Sequence, residues 1–306
     1  MLILCRCLAA CVTGLLLIVA CASAQELEPR AYSPSPVGAN FAGVTYQRSW
    51  GSLMFDPSVP ISDATADLDG FGLGYGRTFG LAGVQALAVV SLPYIHGEFR
   101  GKVVGNDSST ARSGVGDMRV KLSVNLIGCR ALKPQDFARR TPSSTVAGVS
   151  LTVSAPTGQN SADRLINLGA NRWGLKPEAG VSWNWRRKWY TDLYTGTWFF
   201  TENPEAYPAG TASRQQDPLS SVQAHVSYTF APRSWAALDG TWFWGGASHT
   251  NGGPGTARQD NKRVGALVAL GLTARQSVKI VYSYGASTRV GDDFGTVGVA
   301  YQVLWF

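Results

Sequence analysis

The chain has 306 residues, of which 45% are hydrophobic and only 15% are charged, and its formal net charge is +7. Average proteins carry roughly 25% charged residues, so less of this surface than usual faces water. No stretch after residue 25 reaches the about 18 consecutive apolar residues of a transmembrane helix. The basic residues form no stripe with aromatic platforms, which argues against a nucleic-acid partner.

Residues 1–24 have the pattern of a secretory signal peptide. A single positive charge, Arg6, precedes an apolar run over 8–20, and Ala22-Ser23-Ala24 supplies a small-residue cleavage site. The alternative is a lipoprotein signal acylated on Cys21, which the nearby Ala-Ser-Ala site makes less favoured. Cleavage leaves Cys129 as the single cysteine, so we expect no internal disulfide, and we predict neither a metal site nor a cofactor.

Residues 25–38 read as an extended N-terminal segment. Pro29, Pro34 and Pro36 exclude a central strand, because proline cannot donate to a sheet ladder. Leu27 and Tyr32 are apolar anchors in an otherwise extended peptide. We expect the segment to lie at the periplasmic side of the domain that follows, or to enter that domain as a plug.

Residues 39–306 alternate between apolar and polar positions with period two. In the stretch 222–230, for example, every even position is apolar and every odd position is polar or small. Such alternation is typical of strands with one apolar and one polar face. About twelve strands are predicted, near 39–49, 69–79, 83–95, 115–127, 144–155, 176–187, 189–200, 219–230, 234–245, 262–273, 276–286 and 294–305.

The connections between these strands alternate in length. Short turns are predicted at 81–83, 187–188, 231–233 and 274–275. The other connections are longer and rich in Gly, Pro, Asn, Asp and Ser, and lie at 50–68, 97–114, 156–175, 201–218, 246–261 and 287–293. The exception is 128–143, which is long where a short turn is due. An even number of strands with alternating short and long turns is typical of a bacterial transmembrane barrel. We predict an all-β fold: a transmembrane antiparallel up-and-down β-barrel of about 12 strands, spanning 39–306, with both termini periplasmic.

A soluble β-sandwich would also alternate and also carry turn signals. Three features favour the membrane barrel: the length of the strands, the predicted signal peptide, and an excess of tryptophan near strand ends. Aromatic girdles mark the two membrane interfaces of a barrel. We assign Trp183, Trp185, Trp189, Trp198, Trp235, Trp242, Trp244 and Trp305 to them.

If the apolar faces meet lipid, the polar faces line the lumen. A lumen that holds both signs of charge is wet and hydrogen-bonded, and its side chains either satisfy one another or form a selective permeation path. The candidates for lumen-lining residues are Asp117, Arg119, Lys121, Asn125, His225, Asp239, Arg263 and Lys279.

The loop over 163–173 combines polar groups with apolar Leu165, Ile166 and Leu168. A long loop with apolar residues of its own often packs back onto its domain. We expect this loop either to gate the barrel or to pack on its rim. Its candidate residues are Arg164, Asn167, Asn171, Arg172 and Trp173.

One enzymatic alternative is present in the sequence. His225 and Ser227 are two apart on a predicted strand and so share a face, which would let the histidine activate the serine. An outer-membrane lipase or esterase needs that pair on the lipid side. Here Val226 and Tyr228 lie on the lipid face, so His225 and Ser227 should point into the lumen. We therefore predict that the protein is not an enzyme.

Five stretches in order, 27–41, 73–81, 113–128, 164–178 and 223–230, resemble the family described as MetA-pathway of phenol degradation. The resemblance covers nearly the whole mature chain. It implies an outer-membrane barrel that passes small apolar or aromatic solutes, with outer-membrane lipid and the outer-membrane assembly machinery as its partners. The competing hypothesis is a structural or binding barrel with a closed lumen.

The last strand, 295–306, must close the barrel, because every backbone group in lipid needs a partner. Resemblance to outer-membrane barrels implies that Phe306 is the C-terminal assembly signal. Phe306 is, however, out of register with the outward-facing Tyr301 and Trp305. Either the strand bulges near Leu304, or Trp305 is the interfacial anchor and Phe306 follows it.

Overall fold

The computed structural model describes residues 28–52, 61–207, 212–255, 258–287 and 294–306. The predicted signal peptide and Cys21 lie outside the described residues. Within the described ranges, no helix is both long and apolar enough to cross a membrane. The helix that the structure shows there is α1 (Pro134–Arg139), in the connection at 128–144.

The remaining elements are strands, and most of them form one sheet. Their bounds are β1 (Asn40–Ser52), β2 (Ile61–Leu81), β3 (Val84–Val103), β4 (Asn106–Val115), β5 (Arg119–Ile127), β6 (Thr145–Ser154), β7 (Gly174–Trp185), β8 (Trp189–Phe200), β9 (Asn203–Ala206), β10 (Ala212–Gln216), β11 (Leu219–Ala231), β12 (Ser234–Gly245), β13 (Ser248–Thr250), β14 (Gln259–Gly271), β15 (Gln276–Ser287) and β16 (Gly295–Trp305).

The sheet closes on itself, because β1 pairs antiparallel with both β2 and β16. Strands β4 and β5 share one position in the barrel wall, since both pair with β3: β4 with residues 94–103 and β5 with residues 86–91. The short strands β9, β10 and β13 form a separate sheet. The wall therefore has twelve antiparallel positions, which confirms the predicted barrel.

Side chains on the wall alternate as the period predicts. Large apolar side chains such as Leu73 and Leu238, with 60% and 70% of their surface exposed, point outward, and polar ones such as Asp192 and Asn261 are fully buried inside. This inverts a soluble fold and suits lipid outside and a polar interior. Two of the predicted girdle tryptophans are exceptions: Trp198 and Trp235 are buried inside the barrel.

The prediction of loops at 50–68 and 97–114 was wrong. Strands β2, β3 and β4 extend through much of both stretches. Their outward side chains there are charged, with Arg48 bonded to Asp67 and Asp69 and Arg100 at 3.1 Å from Asp67. The inner positions on β2 and β3 there, such as Ala66 and Phe99, are buried and apolar, so the alternation continues with its polarity reversed relative to the lipid-facing wall.

The structure also decides how the last strand ends. The register between β1 and β16 is unbroken from Asn40–Trp305 to Trp50–Gly295, so the predicted alternative of a bulge near Leu304 is wrong. Leu304 is buried inside, whereas Trp305 faces outward, 6.2 Å from the ring of Tyr75. Phe306 follows the end of the strand and is exposed. Its role in assembly stays a prediction.

Candidate functional site

The interior of the barrel is the candidate site, and its two ends differ. We call the end with the turns at 82–83, 186–188, 232–233 and 272–275 the short-turn end, and the other the long-loop end. Residues 28–39, the inner segment, lie inside the barrel at the short-turn end, with Tyr32 and Ser35 only 1% exposed. The Gly38 N–H donates to the carbonyl of Thr78 and leads the chain into β1.

Arg30 of the inner segment contacts three wall strands. Its guanidinium donates to Ser227 Oγ at 2.8 Å and to Thr229 Oγ1 at 2.9 Å. The same group lies over the rings of Tyr190 and Trp235, at 4.2 and 4.5 Å from their centroids. A buried cation thus receives acceptors and aromatic faces in place of water.

Tyr32 of the inner segment fits a space that two glycines leave open. A Cβ atom at Gly180 would lie 2.3 Å from the tyrosine ring, and one at Gly148 would lie 2.6 Å from it. The Tyr32 hydroxyl lies at hydrogen-bond distance from Ser150 Oγ and Glu178 Oε1, 3.3 Å from each. The wall strands β6 and β7 are therefore shaped around this side chain.

An ion-pair network joins the inner segment to the wall. Lys121 Nζ lies 2.8 Å from Glu28 Oε2 and 3.8 Å from Glu178 Oε1, and Lys176 Nζ lies 2.9 Å from Glu178 Oε2. Sequence reasoning identified Lys121 but missed Lys176 and Glu178. The alternation of β7 contained the signal, since Leu175, Pro177 and Ala179 are the outward positions.

His225 and Asp239, both predicted for the lumen, form a buried pair on β11 and β12. His225 Nδ1 lies 2.6 Å from Asp239 Oδ1. Ser227 is also fully buried, and its hydroxyl accepts the hydrogen bond from Arg30. The structure thus brings His225 to an aspartate, and Ser227 to the inner segment rather than to a lipid surface.

Three other predicted lumen residues are buried inside the barrel. Asn125 Nδ2 donates to the carbonyl of Tyr32 at 3.1 Å. Arg263 donates to Ser283 Oγ at 3.0 Å, and Lys279 Nζ lies 5.9 Å from the Trp235 ring centroid. The pairs with Tyr32 and Trp235 place Asn125 and Lys279 beside the inner segment's own contacts.

Asp117 bonds a loop rather than the interior of the barrel, unlike the lumen candidates described above. It lies between β4 and β5, and its two carboxylate oxygens accept the backbone N–H groups of Gly158 and Ala170, at 2.8 Å each. Gly158 and Gly169 approach so closely that a Cβ on either would lie within 2.7 Å of the other's backbone. Asp117 therefore holds the loop 155–173, which we call the rim loop, against the wall.

The five gate candidates divide between shaping the rim loop and contacting its neighbours. The Asn167 side chain bonds the backbone of Ser161 and the carbonyl of Arg164. Asn171 Nδ2 donates to Asn203 Oδ1 at 2.9 Å. Arg164 and Trp173 are exposed, and Arg172 faces the lumen side.

A cavity of about 270 Å³ lies inside the long-loop end, under the rim loop; we call it the mouth cavity. Arg119, Arg172, Trp198 and Phe200 are among its lining residues. Arg172 donates to Gln216 Oε1 and lies 4.3 Å from the Phe200 centroid. Burial lowers the pKa of Arg172 to about 10, with a further decrease from Arg214 and an opposing effect of Asp117.

Two solved barrel structures share the architecture of this chain. An outer membrane channel from Pseudomonas putida F1 superposes with a TM-score of 0.76 at 21% identity, over 92% of this chain and 100% of that chain. The beta domain of the Bordetella autotransporter BrkA gives 0.50 at 12% identity, over 88% and 100%. At these identities the likeness shows the fold alone. No curated protein sequence matches the chain.

A family model, in contrast, matches most of the sequence. The match runs over residues 56–303, from the region before β2 to the last strand. It includes the wall strands that carry the ion-pair network, the rim loop and the mouth cavity. The chain belongs to the family described as MetA-pathway of phenol degradation.

Proposed function

We propose that the protein is an outer-membrane channel for small apolar or aromatic solutes, and that the inner segment is its plug. The observation that carries this proposal is the inner segment itself: it occupies the short-turn end of the lumen through non-covalent contacts, while the long-loop end holds a cavity. Family membership supports an association with aromatic compounds, and the related Pseudomonas structure is named a channel.

The contacts of the inner segment suit a plug that can leave. Its side chains bond the wall through hydrogen bonds and one ion pair, such as Arg30 with Ser227 and Glu28 with Lys121. A hydrogen bond contributes only about 0.5–1.5 kcal/mol net, because water replaces the partner when it opens. Polar wall residues such as Ser150 and Ser227 would be rehydrated when the segment leaves. Departure would also expose the small apolar cluster that Ala31 and Tyr32 form with Cys129, Val146 and Tyr194, and this burial opposes it.

Deleting residues 27–37 and recording single-channel conductance in planar bilayers tests the plug. We expect the full-length protein to conduct little and the deletion variant to form a larger, frequently open pore. Liposome uptake of a neutral aromatic solute should rise in parallel. Heat-modifiable migration on gels verifies that the deletion variant has folded. A folded variant with unchanged conductance and uptake contradicts the plug.

A structural or binding barrel with a closed lumen is the second candidate. The observation that favours it is that interior charges pair with one another, as Lys176 does with Glu178. Under that hypothesis the deletion variant would stay closed, since wall side chains would still fill the bore. The same conductance measurement therefore separates the two functions.

Location and assembly follow the same proposal. The apolar exterior meets outer-membrane lipid, and the exposed Phe306 after β16 is available to the outer-membrane assembly machinery. The lipase alternative has little support, because His225 and Ser227 are both fully buried and Ser227 already bonds Arg30. Lipase activity that Ser227→Ala abolishes would revive it.

A further inference from the structure

We propose that the mouth cavity is a binding site for a single-ring aromatic carboxylate. This inference rests on the proposed channel function, because it names a class of solute that would enter at the long-loop end. Three properties of the cavity carry it: the charge of its lining, its aromatic walls, and its size and position.

The positive charge that the cavity offers to a solute is that of Arg172. Two guanidinium groups, those of Arg119 and Arg172, line the cavity, and the carboxylate of Asp117 opposes them. Both oxygens of Asp117 are already bonded to rim-loop N–H groups. Arg172 donates to the neutral Gln216, and within the described ranges no carboxylate lies at ion-pair distance from it. A carboxylate is the planar partner that a guanidinium binds best.

Aromatic walls give the cavity a second specificity. The rings of Trp198 and Phe200 lie nearly parallel, with an interplanar angle of 8° and centroids 6.1 Å apart. The Trp198 indole N–H is buried and has no acceptor among the described residues. Aromatic pairs add attraction beyond buried area, so a solute ring beside Trp198 and Phe200 is favoured over an aliphatic chain.

Size restricts the solute to one ring. The cavity volume of about 270 Å³ is below the roughly 300–1,000 Å³ of pockets that hold drug-sized ligands. Below the cavity, the next inward residues on β5 and β7 are Lys121 and Lys176. Both lysines are paired with Glu28 or Glu178, so the wall below the cavity does not compete with Arg172 for an anionic solute.

The charge state of the solute decides between a carboxylate and a phenol. A phenolic hydroxyl has a pKa of about 10 and is neutral at pH 7, whereas a carboxyl group with a pKa near 4 is ionised. Only the ionised group gains from pairing with Arg172. The cavity should thus discriminate between two solutes of the same size by charge.

Calorimetric titration of the full-length protein in detergent micelles tests the site with three probes: benzoate, benzyl alcohol and acetate. We expect benzoate to bind at least fivefold more tightly than either other probe. Arg172→Gln should weaken benzoate binding about tenfold and leave benzyl alcohol unchanged. Trp198→Phe, which keeps a ring but loses the N–H, should weaken benzoate by a few fold.

The matched control is Arg258→Gln, because Arg258 is an exposed arginine close to the long-loop end of β14. Equal losses in Arg172→Gln and Arg258→Gln would overturn the site as a general charge effect. Equal affinity for benzoate and benzyl alcohol would also overturn it. If Arg172→Gln does not fold, Trp198→Phe and the probe comparison still decide. Binding is measured without transport, so its failure is separate from failure of the channel.

Discussion

Polar groups inside the barrel have different kinds of partner at the two ends of the lumen. At the short-turn end the chain's own residues, Arg30 and Tyr32, supply partners to wall groups, and glycines open the space for them. At the long-loop end the rim loop covers a cavity in which Arg172 has a neutral partner. The comparison suggests that the first end is built to bind a segment of the chain itself and the second to bind a solute from outside.

The largest expected effect comes from filling the space under Tyr32. Gly180→Leu places a side chain where the ring now lies, since even a Cβ would sit 2.3 Å from it. Overpacking costs about 1–3 kcal/mol, and displacing the inner segment relieves it. Conductance should then approach that of the 27–37 deletion.

Gly240→Leu is the control for that substitution, because a Cβ at Gly240 meets nothing within 4 Å. Both variants should migrate as folded barrels, and only Gly180→Leu should conduct more than the parent protein. Equal conductance of the two variants would show that Tyr32 does not keep the short-turn end closed.

A smaller effect is expected from Arg30→Met, which keeps the apolar stem and removes the charge. The variant loses hydrogen bonds to Ser227 and Thr229 and the contact with the Trp235 ring. Hydrogen bonds to charged groups contribute about 1.5–3 kcal/mol, partly offset by the cost of burying a guanidinium. We expect about a tenfold rise in opening frequency, and an intermediate value for Arg30→Lys. If the opening frequency rises no more in Arg30→Met than in Arg258→Met, Arg30 does not help to hold the plug in place.

The sequence predicts the barrel wall far better than the contacts inside the lumen. Alternation is a local signal, repeated in every strand, so the barrel and most inward positions could be inferred from it. The contacts inside the lumen join residues that are far apart in the sequence. Tyr32 contacts Gly148 and Gly180, which lie more than a hundred residues away. No local pattern links them, and the same holds for Arg30 with Ser227.

The inferred tryptophan girdle was wrong at two positions for a different reason. Trp198 and Trp235 lie near strand ends, as interfacial residues do, yet both face inward and contact arginine or lysine side chains. Position along a strand does not reveal which side a residue takes, and the alternation in β8 and β12 does. Trp198 and Trp235 occupy the inward positions of the alternation in β8 and β12. That alternation therefore predicts that both side chains face the lumen, and it places Trp198 in the wall of the mouth cavity.

A third prediction concerns the long-loop end. Asp117→Asn leaves one oxygen to accept from the N–H groups of Gly158 and Ala170, so one of them loses its partner. A lost bond of this kind costs about 1–3 kcal/mol. We expect faster proteolysis within the rim loop and weaker benzoate binding, with unchanged barrel folding. Asp136→Asn, on the exposed face of α1, should change neither.

The smallest effect is expected for Glu28→Gln. The pair of Glu28 with Lys121 is mostly buried, each side chain being 12% exposed, but glutamine keeps an oxygen that can accept from Nζ. Lys121 also lies 3.8 Å from Glu178, which keeps a negative charge nearby when Glu28 is neutralised. Opening frequency should therefore rise less than about fivefold, equivalent to roughly 1 kcal/mol. The difference between variant and parent should change little with ionic strength, because salt screens a mostly buried pair much less than an exposed one. A larger effect than that of Arg30→Met would mean that the ion pair, rather than the packing around Arg30 and Tyr32, holds the inner segment in place.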